Sequence, residues 1–291
     1  MKILYLDCGM GIAGDMLMGA LVQLCPSKEE FINKINAAGI PGVKVEYEQS
    51  VKCGILGAHI KVTVNGKEEE SIDIDEHRCS HEHETGHEYE TDHKHETEHE
   101  TGHKHVNSHE HHHTSMEEIE KIIDGLKVPQ KVKEDTKGVY KLIAEAEAAV
   151  HGRSVADIHF HEVGRLDAIA DIAGCAIAIH ELGADKIVVS PINTGFGKVR
   201  CEHGILPVPA PATAHLLKGM LCYAGRFEGE LCTPTGAALL KYFAAECSNM
   251  PLMKIENIGY GMGKKDFEAV NCVRAVIGEI SPEKAIKTLS D

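Results

Sequence analysis

The sequence predicts an α/β fold: a mixed sheet with flanking helices, interrupted by a long disordered His/Glu-rich insert. Three observations lead there. "KILYLD" (2–7) is an apolar run that stops at a glycine turn and leads into a stretch of helical character. From residue 155 to 280, short apolar runs, glycine turns and helical stretches alternate, the pattern of strands layered with helices. Between about Gly66 and Thr114 large apolar residues almost vanish, so that segment cannot bury enough surface to offset the entropy of ordering it.

The elements follow in order. After the first strand, "DMLMGALVQL" (15–24) reads as a helix, and so does "SKEEFINKINAAG" (27–39), where Ser27 caps and Glu30 completes a capping-box pattern. "VKVEYEQSV" (43–51) and "ILGAHIKVTVN" (55–65) alternate apolar and polar residues, as half-buried strands do. Beyond the insert, "SMEEIEKIIDGL" (115–126) and the amphipathic "PQKVKEDTKGVYKLIAEAEAAVHG" (129–152) are helical, with Pro129 suited to a first turn. "VADIHFHEVG" (155–164) is a strand or extended loop, and "LDAIADIAGCAIAIHELG" (166–183) a helix ended by Gly183. "DKIVVSPI" (185–192) is a strand, 193–213 an irregular stretch before a helix at 211–218, and 233–246 another helix. Strand-like segments at 254–267 and 271–280 close the fold. The expected organisation is 1–65 as the first part of an α/β domain, 66–114 as the insert and 115–281 as the remainder.

Charge and composition narrow the function. The 291-residue chain carries a net charge of −15. Residues 66–113 hold fifteen acids against four Lys/Arg, so most of that charge belongs to the insert. There is no basic stripe and no Trp, which argues against nucleic acid as a main partner. Ten scattered cysteines form no C-x-x-C pair, and no run of eighteen apolar residues exists. A cytoplasmic protein with reduced thiols and no membrane span is expected.

Three stretches carry the candidate chemistry. In "IHFHEVGRLDAIADIAG", residues two apart on an extended segment share a face, so His159 and His161 project together beside Glu162. Asp167 and Asp171 lie four apart on a helix that is otherwise nearly all apolar. A carboxylate there needs a cation, a metal or a set of donors; capping by Asp167 and pairing of Asp171 with Arg165 is the plainer alternative. In "DCGMGIAGDM", Gly9, Gly11 and Gly14 sit between a strand and a helix, flanked by Asp7 and Asp15. Backbone amides at such a turn can hold phosphate, and tight packing explains the glycines equally well. "CTPTGAAL" reads as a helix start capped by Thr233 with Pro234 in its first turn; Thr235 and Gly236 are candidate anion donors there. The glycine loops "NTGFGKVRCEHG" and "NIGYGMGKKD" suit either phosphate or an ordinary hairpin.

Thirteen of the twenty histidines fall between His77 and His113. Neutral imidazoles interleaved with carboxylates bind divalent ions, with affinity rising toward nickel and copper. The candidate ligands are His81, His83, His87, His93, His95, His99, His103, His105, His109, His111, His112 and His113. A chain that imposes no geometry is a reservoir for exchangeable ions rather than a catalytic centre.

Taken together, "LDCGMGIAGDM", "HFHEVGRLDAIADIAG", "INTGFGKVRCEHGILPVPAPAT", "CTPTGAALL" and "GYGMGKKDF" resemble the LarC family of nickel insertion proteins over about residues 4–280. The resemblance implies nickel chelatase (lyase) activity: Ni²⁺ is delivered into pyridinium-3,5-bisthiocarboxylic acid mononucleotide to give the nickel-pincer cofactor of lactate racemase and related enzymes. It implies CTP with Mg²⁺ or Mn²⁺ on the family's C-terminal domain, which is expected to be absent from this chain, with a separate C-terminal CTP-binding chain and a pincer-dependent apoenzyme as expected partners. The residues themselves place the reacting site at His159, His161, Glu162, Asp167 and Asp171, and substrate binding at Asp7, Gly9, Gly11, Gly14, Asp15, Thr233, Thr235 and Gly236. A nickel store or metallochaperone without chemistry is the alternative.

Overall fold

The computed structural model describes residues 1–68, 114–160, 162–201 and 203–280. Its strands are β1 (Lys2–Asp7), β2 (Val43–Lys52), β3 (Ile55–Val64), β4 (Lys67–Glu68), β5 (Thr114–Ser115), β6 (His159–Phe160), β7 (Lys186–Val189), β8 (Ile192–Asn193), β9 (Gly195–Phe196), β10 (Lys198–Cys201), β11 (Gly204–Pro207), β12 (Cys222–Tyr223), β13 (Gly229–Glu230), β14 (Glu246–Cys247), β15 (Lys254–Met262) and β16 (Cys272–Glu279). The helices are α1 (Gly14–Val22), α2 (Lys28–Ala37), α3 (Met116–Gly125), α4 (Gln130–His151), α5 (Leu166–Leu182), α6 (Pro211–Leu216) and α7 (Pro234–Phe243).

The main sheet is mixed, in the order β14-β7-β1-β16-β15-β3-β2, with β4 added beside β3. Strands from both sides of residues 69–113 therefore share one sheet. β1 pairs parallel with β7 and antiparallel with β16, and β16 pairs antiparallel with β15. The carboxyl ends of β1, β7 and β15 consequently lie at one edge, where open α/β sheets place their ligands.

One face of this sheet is covered by helices, and the core sits between them. Leu4 and Leu6 of β1, Ile60 of β3 and Val273 and Ala275 of β16 point into it, with α1 and α5 packed on top. α5 is buried along almost its whole length, as its apolar sequence predicts. α1 lies directly on β15, because a Cβ on Gly261 would stand 1.7 Å from the Met16 carbonyl oxygen. Gly259 and Gly261 thus serve helix-on-sheet contact, and "GYGMG" is the end of a strand rather than a loop. The stretch 193–213, read as irregular, instead forms β8, β9 and the β10–β11 hairpin. "VADIHFHEVG" is a 3₁₀ turn, the short strand β6 and a second 3₁₀ turn (Glu162–Gly164).

Caps agree with the sequence signals. Ser27 accepts from the Glu30 amide, and Ser115 and Glu118 form a reciprocal capping box. α4 and α5 end at Gly152 and Gly183 in the left-handed conformation. The described cysteines are free thiols. Among the described residues no helix is long and apolar enough to cross a membrane.

Candidate functional site

The site begins where β1 ends. Arg274 of β16 donates to Asp7 Oδ2 at 2.6 Å, and the Gly9 amide donates to Asp7 Oδ1 at 3.1 Å. The turn that follows is fastened from several sides. Asn193 Nδ2 donates to the Gly9 carbonyl at 3.0 Å, the Gly11 amide to the Cys8 carbonyl at 2.9 Å, and the Ile12 amide to the Leu231 carbonyl at 2.8 Å. Gly11 has φ of +78°, and a Cβ on it would stand 2.1 Å from the Leu231 oxygen. The amides of Gly9, Gly11 and Ile12 are thus engaged within the fold, and Gly11 serves a tight turn against Leu231.

That segment is the start of α7. The Thr233 amide donates to the Ile12 carbonyl at 3.0 Å, and Thr233 Oγ1 accepts from the Gly236 amide at 3.2 Å. Thr235 is buried, and Gly236 packs on Ile12. The glycine turn and "CTPTG", far apart in sequence, are therefore one structural unit.

The start of α1 meets α5 at two carboxylates. Gly14, the first residue of α1, touches the Asp171 side chain so closely that a Cβ would lie 2.6 Å from Oδ2. The Asp15 backbone amide is hydrogen-bonded to Asp171, while Asp171 Oδ1 is buried without a partner. Burial pushes the Asp171 carboxyl well above the usual range, and the charges of Asp15 and Asp167 push it further. Asp15 is raised by burial too, against the pull of Lys264 and of the Met16 amide, which donates to its Oδ1 at 2.8 Å. Asp167 lies in the first turn of α5, whose N-cap is Arg165, and Asp167 Oδ1 accepts from the Ala168 amide at 2.8 Å.

Lys264, just past β15, is the counter-charge. Its ammonium is 2.7 Å from Glu68 Oε1. Burial pulls the ammonium down, but Glu68, Asp15 and Asp171 outweigh it and hold it above its usual value. The structure thus brings Asp15, Asp167, Asp171 and Lys264 into one electrostatic group, with Asp7 at the end of β1 held by Arg274. Lys264, Glu68 and Arg274 were not picked out as site residues from sequence; only the lysine pair after "GYGMG" signalled a cation, and nothing marked its partner.

His159 lies on β6 opposite Ser115, and Glu162 opens the next turn. The side chains of His159 and Glu162, and His161 altogether, lie outside the described residues. So do the twelve tract histidines, His81, His83, His87, His93, His95, His99, His103, His105, His109, His111, His112 and His113. The two ends of that stretch are described. On one side Glu68 of β4 holds Lys264; on the other Thr114 of β5 pairs with Phe160 of β6. Both therefore land on elements that carry candidate site residues. Among the described residues no group of three or more His, Cys, Asp or Glu side chains is arranged to hold a metal ion.

The family described as "Nickel insertion protein" matches residues 4–290. The chain is 39% identical over 280 residues to a pyridinium-3,5-bisthiocarboxylic acid mononucleotide nickel insertion protein of Clostridium kluyveri, covering 96% of this chain and 62% of that protein. A putative nickel insertion protein of Dictyoglomus thermophilum is 35% identical, with 96% and 61% covered. A Staphylococcus epidermidis protein named like the first is 36% identical, with 94% and 59% covered. The chain thus spans about three fifths of the length of the curated relatives it matches. No solved structure matches it.

Proposed function

The chain belongs to the nickel insertion protein family, and from that premise we propose that it receives Ni²⁺ and delivers it to pyridinium-3,5-bisthiocarboxylic acid mononucleotide, forming the nickel-pincer cofactor in the cytoplasm. The observation that carries this reading is Asp171: a buried carboxyl oxygen with no partner, beside Asp15 and Asp167, at the helix starts that flank the sheet's carboxyl edge. An orphaned buried acceptor is costly, and a divalent cation is a ligand that would satisfy it.

In this reading Ni²⁺ is substrate. The histidine tract collects it; Glu68 and Thr114, the described residues on either side of the tract, pair with Lys264 and with Phe160 of β6. Asp171 and Asp15, with His159, His161, Glu162 and Asp167, take the ion. The substrate phosphate docks between the Asp7–Asp15 turn and the α7 start at Thr233, Thr235 and Gly236, held by the Lys264 cation rather than by the engaged Gly9, Gly11 and Ile12 amides. Forming the pincer requires the two thiocarboxylates to bind nickel while a ring carbon gives up its proton. His161 or Glu162 is the proposed base, as imidazole and carboxylate are both tunable toward neutral pH. CTP and its Mg²⁺ or Mn²⁺ are assigned to a part of the longer proteins beyond this chain. The engaged amides of Gly9, Gly11 and Ile12 offer its phosphates no cradle here, and no step above runs through it.

The test is pincer formation by the complete system, with CTP and the remaining part of the protein supplied. Asp171→Ala and His161→Ala are expected to abolish it. Wild-type turnover in both would sink the site.

A further inference from the structure

A pocket of about 160 Å³ lies apart from the carboxylate group. Its wall comes from Glu147 and His151 at the end of α4, Val163 in the 3₁₀ turn after β6, Val199 and His203 of the β10–β11 hairpin, and Pro234, the first residue of α7. Three of the marked stretches, "HFHEVG", "GKVRCEHGILP" and "CTPTG", therefore contribute to one cavity.

Size and chemistry restrict what fits. A dry cavity of about 150 Å³ accepts benzene, so this one has room for a single aromatic ring and not for a mononucleotide. The walls from Val163, Val199 and Pro234 are apolar, as a ring's faces require. One end is polar. His151 Nε2 stands 3.4 Å from Glu147 Oε2, and the His151 and His203 rings lie 4.8 Å apart, tilted by 45°. Burial raises the Glu147 carboxyl, and the two imidazoles pull it back. A positive charge entering the pocket would favour its ionised form. The imidazoles can donate to acidic groups on a ring's edge.

We propose that this pocket holds the pyridinium ring of the substrate when it first docks, before it meets the nickel, with Glu147 countering the ring's positive charge, His151 and His203 donating to a thiocarboxylate, and the ribose phosphate emerging past Pro234. The proposal rests on the reading of the substrate given above and adds where its ring sits.

Calorimetric titration with nicotinic acid mononucleotide, a pyridinium carboxylate, and with ribose 5-phosphate, which lacks the ring, tests it. Wild-type protein is expected to bind the mononucleotide at least tenfold more tightly than ribose 5-phosphate. Glu147→Gln, nearly isosteric and so retaining the fold, should reduce that preference to about twofold or less and leave ribose 5-phosphate binding unchanged. Leu206→Trp, which fills the cavity from the hairpin, should do the same. If the preference survives both substitutions, the ring binds elsewhere and the pocket assignment is overturned while the substrate reading stands. If the wild type shows no preference for the mononucleotide, or does not bind it, both fall.

Discussion

A methyl group on Gly14 would stand 2.6 Å from Oδ2 of Asp171, so the first residue of α1 and this acid of α5 touch with no room for a side chain between them. Gly14→Ala must therefore push the two helices apart or displace the carboxylate. Overpacking of this kind costs about 1–3 kcal/mol. The expected result is a lower midpoint in chemical denaturation together with loss of pincer formation. An unchanged midpoint would show that the contact relaxes freely.

Asp171→Asn separates stability from function. The wild-type side chain keeps a carboxyl oxygen buried and unpartnered in the field of Asp15 and Asp167. An amide of the same shape removes that repulsion, so nickel-free Asp171→Asn should unfold a few degrees higher than wild type, consistent with about 1 kcal/mol or more. Pincer formation should fail in the same protein. A lower unfolding temperature would mean that the carboxylate is a structural ligand of the fold, and the site would have to be sought elsewhere.

The elements were legible in the sequence because their signals are local. Ser27, Ser115, Gly152 and Gly183 mark helix ends by chemistry that acts within one turn, and the apolar length of α5 announces its burial. Asp171 was legible for the same reason, as a lone charge on an apolar helix. What escaped is whatever depends on distant segments meeting. The glycines at 11, 259 and 261 look like phosphate loops in one dimension, but their reason is the approach of Leu231, Met16 and Ala20. Lys264 and Glu68 are nearly two hundred residues apart, and no pattern in either neighbourhood predicts their ion pair. The pocket at Glu147 and His203 was hidden likewise, since α4 and the β10–β11 hairpin meet only in the fold.

Removing residues 77–113 should leave the core intact. β4 and β5, the described elements on either side of the excised stretch, are held by pairing with β3 and β6. The deletion is expected to unfold within about 0.5 kcal/mol of the full chain, the range of changes that touch no packed feature. It should lose most of its bound nickel in calorimetric titration and retain pincer formation at saturating Ni²⁺. Loss of pincer formation at saturating metal, in a core that also fails to bind substrate, would favour a nickel store over an insertion enzyme.

Asp135 provides a pH-dependent test of the helical layer. It is buried on α4 and accepts from Lys131 at 2.8 Å and Tyr242 of α7 at 2.9 Å, with His180 of α5 2.6 Å away. Burial pushes this carboxyl up, but the hydrogen bonds from Lys131, His180 and Tyr242 outweigh it and hold it below the usual range. A depressed acid stabilises the fold above its unfolded pKa of about 3.9 and loses that contribution as pH falls through the folded value. Asp135→Asn should therefore cost about 1.5–3 kcal/mol at pH 7. The gap to wild type should persist down to about pH 5 and close progressively as the pH falls below the ordinary aspartate range. Urea unfolding of both proteins across that series measures it, and a gap that stays constant into strong acid would show that Asp135 contributes shape and not charge.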